Sequence, residues 1–237
     1  MAKRILHVVT NAAHYNDSSH PTGLWLSELT HAWHVFEEHG YEQTITAKAW
    51  RADPSRMLLL KNTARPNQIH SADFDAIYFT GGHGVMFDFP DDEGLQRITR
   101  EIFERGGIVS SVCHGYCGLL NTKLSDGSYL VAGRNMTGFA WREEVLARVN
   151  KLVPYNAEEE VKKRGAHYKK SHSAFHFLHR GGRQLGDWAE PGLGERDRDE
   201  GRHCPQPVMI DITGRLESFL SLEIARSRAK GRIKVAS

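Results

Sequence analysis

Gly106-Gly107-Ile108-Val109-Ser110-Ser111-Val112-Cys113-His114-Gly115-Tyr116-Cys117-Gly118-Leu119-Leu120 is the stretch that decides the fold. The β-branched run up to Val112 reads as a buried strand, and the apolar residues after Gly115 read as the start of a short helix. Cys113 falls at the bend between them. A strand, a tight turn and a helix with a nucleophile at the turn make an elbow. Such an elbow lifts a side chain clear of a sheet edge and aims backbone N–H groups at whatever that side chain attacks. The positive end of a helix beneath a thiol also favours the thiolate. The competing reading is a buried core cysteine. The adjacent His114 and the glycine after it favour a reactive thiol.

Upstream of the elbow, Asp75-Ala76-Ile77-Tyr78-Phe79-Thr80 reads as another strand, and it runs into Gly81-Gly82-His83-Gly84. Glycines at the carboxyl end of a parallel strand let backbone approach a ligand in the crevice where open α/β sheets bind. Gly81 and Gly82 are therefore candidate substrate-binding residues. The N–H of Gly82, paired with that of His114, is a candidate oxyanion hole. His83 is either a third residue of this pocket or a plain loop side chain. Further back, Arg4 to Thr10 reads as the first strand. Pro21-Thr22-Gly23 opens a helix to about His39, with Leu24, Leu26, Leu29, Trp33 and Phe36 on its apolar face and Gly40 ending it. Glu28 lies close to that face, where a carboxylate is costly unless paired or protonated. The alternative is a rim glutamate reaching water.

The remaining segments continue the alternation. Glu42 to Ala47 reads as a strand and Pro54 to Ala64 as a helix. Asp91-Asp92-Glu93 opens a helix ending near Gly106, with acids at its positive end. Leu119 to Leu124 finishes the short helix after the elbow. Tyr129–Val131 and Asn135–Gly138 look extended, Val145–Val149 helical, and Asn156–Arg164 a charged helix closed by Gly165. The pattern predicts an α/β fold, a flavodoxin-like three-layer α/β/α sandwich with a mostly parallel sheet and an atypical C-terminal part.

The totals narrow the classes. With 237 residues the chain suits one sizeable domain. A net charge of +2 gives no global case for nucleic acid. No segment approaches the roughly 18 apolar residues of a membrane span. Met1-Ala2-Lys3-Arg4 runs straight into a strand, so no signal peptide is expected. Three cysteines, two of them four apart, do not suggest a disulfide framework, which favours a reducing, cytoplasmic setting. His14 and His20 fit no standard metal-ligand spacing. No glycine-rich dinucleotide or phosphate loop is present. No metal and no cofactor are expected.

Val112-Cys113-His114-Gly115, Thr80-Gly81-Gly82-His83-Gly84 and Gly23-Leu24-Trp25-Leu26-Ser27-Glu28 together resemble the DJ-1/PfpI superfamily, in its glyoxalase III-like branch. The resemblance covers about residues 3 to 171. It implies a catalytic set of Cys113 as nucleophile, His114 as acid/base, Glu28 against the thiol and an acidic residue after Thr137-Gly138-Phe139. Counting five past Phe139 gives Glu144, with Glu143 as the fallback and two exposed helix-start acids as the bland alternative. It also implies a homodimer, and conversion of methylglyoxal to lactate without glutathione or a metal, in the manner of a D-lactate dehydratase. Two departures stand out. Tyr116 replaces the usual proline after Cys-His-Gly. The Ser-Pro-x-Gly-Gly loop and Leu-Asp-Pro segment expected after Thr46 are missing, so a pocket-edge loop is expected to be absent.

From Ser171 the texture changes. Residues 172–237 carry no sustained period and read as an atypical, poorly packed tail with one weakly helical piece at 218–229. In a one-base-shifted frame, plausible codons for Gly186 to Arg196 permit Val-Thr-Gly-Gln-Asn-Pro-Ala-Ser-Ala-Ser, which resembles the family's last strand and turn. A frameshift near Ser171 is the expectation, and the coding DNA tests it. Three rival functions are carried. One is a class I amidotransferase-like or peptidase-type hydrolase, for which no downstream His-x-Glu pair is found. The second is a redox-sensing chaperone in stress protection, with Cys113 oxidised. The third is an inactive copy.

Overall fold

The computed structural model describes residues 4–16, 19–30, 32, 54–169 and 210–211. Three strands lie side by side in parallel. They are β1 (Ile5–Val8), β2 (Ala76–Phe79) and β3 (Ile108–Ser111). Their register pairs Ile5 with Ala76 and Phe79 with Ser111. The central strand β2 is buried at all four positions, as a parallel strand covered on both faces must be. A further strand, Ile210–Asp211, pairs antiparallel with β3 at Ser110 and Ser111. A separate two-stranded parallel pair joins β4 (Asn135–Met136) to β5 (His167–Tyr168).

Alternation along β2 sorts its side chains between two layers. Ile77 and Phe79 enter the main core with Val109, Leu95, Ile98 and Ile102. Tyr78 points the other way, into a cluster with Val112 and Ala32. The residues at 95, 98 and 102 come from the helix Glu93–Glu104, spaced to give one apolar stripe. Its start is capped by the Asp92 side chain, which accepts the Leu95 N–H at 2.8 Å. Residues 26–30 are helical and lie on the Tyr78 side, whose hydroxyl donates to the Glu28 carbonyl at 3.1 Å. One helix layer lies on each face of the sheet, so the expected sandwich is the fold.

Several boundaries differ from the sequence reading. The first helix begins at residue 26 rather than at Pro21, because residues 22–25 run non-helically against the Gly81 loop. The Trp25 N–H donates to the Gly81 carbonyl at 3.3 Å. A Cβ at Gly82 would strike the Gly23 carbonyl and the Trp25 nitrogen, so only glycine permits this approach. The helix expected over 54–64 ends at Lys61. After the elbow, Gly115–Leu119 is a five-residue 3-10 helix instead of an α-helix reaching Leu124. The helix expected around 145–149 is Trp141–Leu146. The helix Ala157–Lys163 is capped by Asn156, whose side chain accepts the Glu159 N–H at 3.2 Å. The second strand, the loop after Thr46 and the tail, apart from Ile210–Asp211, lie outside the described residues. Among the described residues no helix is long and apolar enough to cross a membrane.

Candidate active site

The carboxyl ends of β2 and β3 deliver the Gly81 loop and Cys113 to the same edge. The chain must turn sharply after Val112, and Cys113 makes that turn in the left-handed region with φ of 52°. Gly115 follows because it packs on the Phe79 and Thr80 carbonyls, where a Cβ would collide. Gly118 faces the Phe79 ring at a distance that also excludes a side chain. The short 3-10 helix beyond the turn supplies only a weak dipole, so the aligned helix beneath the thiol that the sequence suggests is absent. The thiol's surroundings are set by side chains instead.

Two groups meet Cys113. Glu28 arrives from the first helix with only 1% of its surface exposed. Burial pushes its carboxyl up from 4.5 to about 7, against hydrogen bonds with the Cys113 side chain and the Gly81 backbone that pull it down. Gly81 has no side chain because one would run into the Glu28 carboxylate and the Cys113 Cβ. Near neutral pH the Glu28 carboxyl is therefore partly protonated where it hydrogen-bonds the Cys113 side chain. On the other side, His114 Nδ1 lies 3.2 Å from Cys113 Sγ. Its Nε2 lies 2.6 Å from Glu144 Oε1. Burial and the nearby His83 lower the His114 pKa, while Glu144 raises it, and the net shift is downward.

Glu144 occupies the first turn of the helix Trp141–Leu146 and is 3% exposed. Burial would raise its carboxyl, but the imidazoles of His114 and His83 outweigh burial and hold it at about 2. Its second oxygen, Oε2, lies 3.0 Å from His83 Nε2. Glu143, the fallback, is engaged elsewhere: its carboxylate accepts the Ala140 N–H at 2.7 Å and caps the same helix. Glu158, also buried, accepts the Trp141 N–H at 3.1 Å and fixes the helix start.

The residues singled out from the sequence therefore converge: Glu28, Cys113, His114 and Glu144 form one chain of contacts, with Gly81 and Gly82 beside it. His83 aims its Nε2 at Glu144, a contact that the sequence does not disclose. Three further side chains support the site in roles that the sequence does not disclose. The Phe139 ring packs against His114 with centroids 4.6 Å apart, and against His83 at 6.0 Å. Tyr116 is fully buried, and its hydroxyl donates to the Phe139 carbonyl at 3.1 Å. Tyr168 donates to the adjoining Gly138 carbonyl at 2.8 Å. The tyrosine that departs from the family's proline thus clamps the loop that presents Phe139 and leads to Glu144. Cys117 is buried and burial pushes its thiol up to about 12, so it is not a nucleophile. Neither Cys113 nor Cys117 is in a disulfide. His14 and His20 are exposed, on a segment whose Tyr15 ring packs against His83 with centroids 5.7 Å apart. A cavity of about 450 Å³ lined by Leu6, His7, Leu29, Leu59 and Asp88 includes neither Cys113 nor Glu144.

Comparison with known proteins places the chain. Hsp3105 of Schizosaccharomyces pombe is 30% identical over 154 residues, covering 55% of this chain and 61% of that protein. A protein of Saccharomyces cerevisiae named glutathione-independent glyoxalase HSP31 is 26% identical over 198 residues, covering 70% of this chain and 82% of its own length. Among solved structures, Rapid Encystment Protein 24 KDa of Francisella tularensis superposes with a TM-score of 0.66 at 27% identity, covering 72% of this chain and 85% of that one. The family model described as DJ-1/PfpI matches residues 22–165, a span that holds Glu28, the Gly81 loop, the Cys113 elbow and Glu144. This chain belongs to the DJ-1/PfpI family.

Proposed function

We propose that the chain converts methylglyoxal-type 2-oxoaldehydes to 2-hydroxy acids, with Cys113 supplying the sulfur that a thiol co-substrate would otherwise bring. The observation that carries this reading is the placement of Cys113 between a protonatable buried carboxyl, Glu28, and an imidazole held by Glu144. The name of the yeast relative agrees with it.

The proton inventory supports the steps. The thiolate adds to the aldehyde carbon, and the carbonyl oxygen becomes the hydroxyl of a hemithioacetal. N–H groups of Gly82 and His114 stabilise the charge on that oxygen as it develops. His114 then takes the proton from C1 and returns one to C2, through an enediol. The product is a thioester of the 2-hydroxy acid. Water cleaves it, releasing lactate from methylglyoxal and restoring the thiol. Glu144 keeps His114 in the tautomer whose Nδ1 lone pair faces the sulfur, and it stabilises the imidazolium that forms. Glu28 donates to the sulfur while it is an anion. No step requires an external oxidant, because C1 is oxidised as C2 is reduced.

The family's homodimer, a cytoplasmic setting, and a catalytic unit of residues 3–171 followed by an atypical tail belong to the same proposal. Sedimentation and the coding DNA across Ser171 test the dimer and the tail. A hydrolase of the amidotransferase type would draw its histidine from far downstream; the immediate neighbour His114 does that work in this arrangement. The deciding experiment is lactate production from methylglyoxal by the wild type and by Cys113→Ala. Loss of product in the variant supports the proposal, and equal rates overturn it.

A further inference from the structure

We infer that His83, His114 and Glu144 form a binding site for a divalent transition-metal ion of the zinc class, and that occupancy of this site shuts off the thiol's base. The inhibitory half rests on the activity proposed above; the binding half does not.

The donor set is two imidazoles and one carboxylate, a combination that suits Zn²⁺ with a fourth position left to water. The ligand atoms of the three side chains all lie within 4.8 Å of one another. Glu144 stands between the rings, with Oε1 2.6 Å from His114 Nε2 and Oε2 3.0 Å from His83 Nε2. Ligand atoms on a tetrahedral zinc at about 2.0–2.1 Å sit roughly 3.3 Å apart, so seating the ion opens the two carboxylate contacts and draws in the wider separation, within the span of the cluster. The Glu144 carboxylate is buried and touches both rings, so it offers an anionic oxygen to a cation seated between them. His114 and Glu144 are almost fully buried, whereas the His83 side chain is 21% exposed and gives the ion its route in from solvent. The ring packing of Phe139 on both histidines fixes their planes. His114 Nδ1, 3.2 Å from Cys113 Sγ, supplies the outer-shell contact typical of a ligating histidine.

The consequence follows from which nitrogen is taken. A metal on Nε2 displaces the proton that this nitrogen shares with Glu144. The neutral ring must then carry its proton on Nδ1, pointing at the sulfur. In that tautomer His114 has no lone pair left to accept a proton, so thiol activation and the transfer between C1 and C2 both stop. Cys113 is not itself a ligand, since its contact is with the opposite ring nitrogen.

Co²⁺ titration of the full chain, followed by absorption, tests the site. The expected result is a visible ligand-field spectrum without a thiolate charge-transfer band. Cys113→Ser should leave it unchanged, and His83→Asn should weaken it by about tenfold or more. Glu144→Gln serves as the second variant should His83→Asn fold poorly, and it too should weaken binding. Zn²⁺ should halt lactate formation reversibly, with release by a chelator, at the concentration that displaces Co²⁺. Equal affinity in wild type, His83→Asn and Glu144→Gln would place the ion on other histidines and overturn the assignment. A charge-transfer band that vanishes in Cys113→Ser would place the ion on the sulfur and overturn the assignment as well. Should the wild type make no lactate, the Co²⁺ spectra still decide whether the site exists.

Discussion

Glu28→Gln offers a direct measure of how firmly the first helix drives a carboxyl into the sheet. The folded chain holds the Glu28 proton until about pH 7, whereas the unfolded chain releases it near 4.5. Between those values the folded state binds more protons than the unfolded state, so stability is lost as pH rises through the window and levels off above it. At about 1.4 kcal/mol per pH unit the whole effect is roughly 3 kcal/mol, of which about 2 kcal/mol falls between pH 5 and pH 8. Glutamine keeps the shape and does not titrate. Urea denaturation of both proteins at these two pH values gives the difference in stability at each. Contributions from ionisable groups that do not touch Glu28 cancel in that comparison. Glu28→Gln should gain about 2 kcal/mol on the wild type on going from pH 5 to pH 8. A difference that stays constant to within about 0.5 kcal/mol would refute the claim that burial governs this carboxyl.

Glu144→Gln should lower kcat for lactate formation by about a hundredfold or more, because the tautomer and charge of His114 lose their support, while the fold persists by circular dichroism. Gly118→Ala drives a methyl group to 2.6 Å from the Phe79 ring and should destabilise the protein by about 1–3 kcal/mol in denaturant melts. Tyr116→Phe removes the hydrogen bond to Phe139 and should cost about 0.5–1.5 kcal/mol, with kcat falling more than stability predicts if the loop carrying Phe139 moves.

The elbow and the strand before it are legible in the sequence because a β-branched run ending in Cys-His-Gly combines two periodic signals with a turn. Glu28 and Glu144 emerge only by matching motifs, since nothing local marks a carboxylate that lies more than 80 residues from its thiol on one side, or 30 residues from its histidine on the other. His83 is visible as a loop residue, but its contact with Glu144 depends on how the helix 141–146 docks, which no single-segment pattern encodes. The start of the first helix departs from the sequence pattern for a tertiary reason. Propensity allows a helix from Pro21, yet the packing of residues 22–25 on Gly81 and Gly82 holds them out of it. The 3-10 geometry after the elbow arises in the same way, from the close seat of Gly115 and Gly118 on Phe79.

Cys113 is a non-glycine residue whose backbone sits at a positive φ. A chain shaped only for robustness would place glycine there and gain about 1 kcal/mol or more. On the proposed mechanism, keeping sulfur at that position is a standing structural handicap that the chemistry requires. Cys113→Gly should therefore be an inert protein that outlasts its parent on heating, and drift toward glycine at this site would be the earliest mark of a lineage that had given up catalysis.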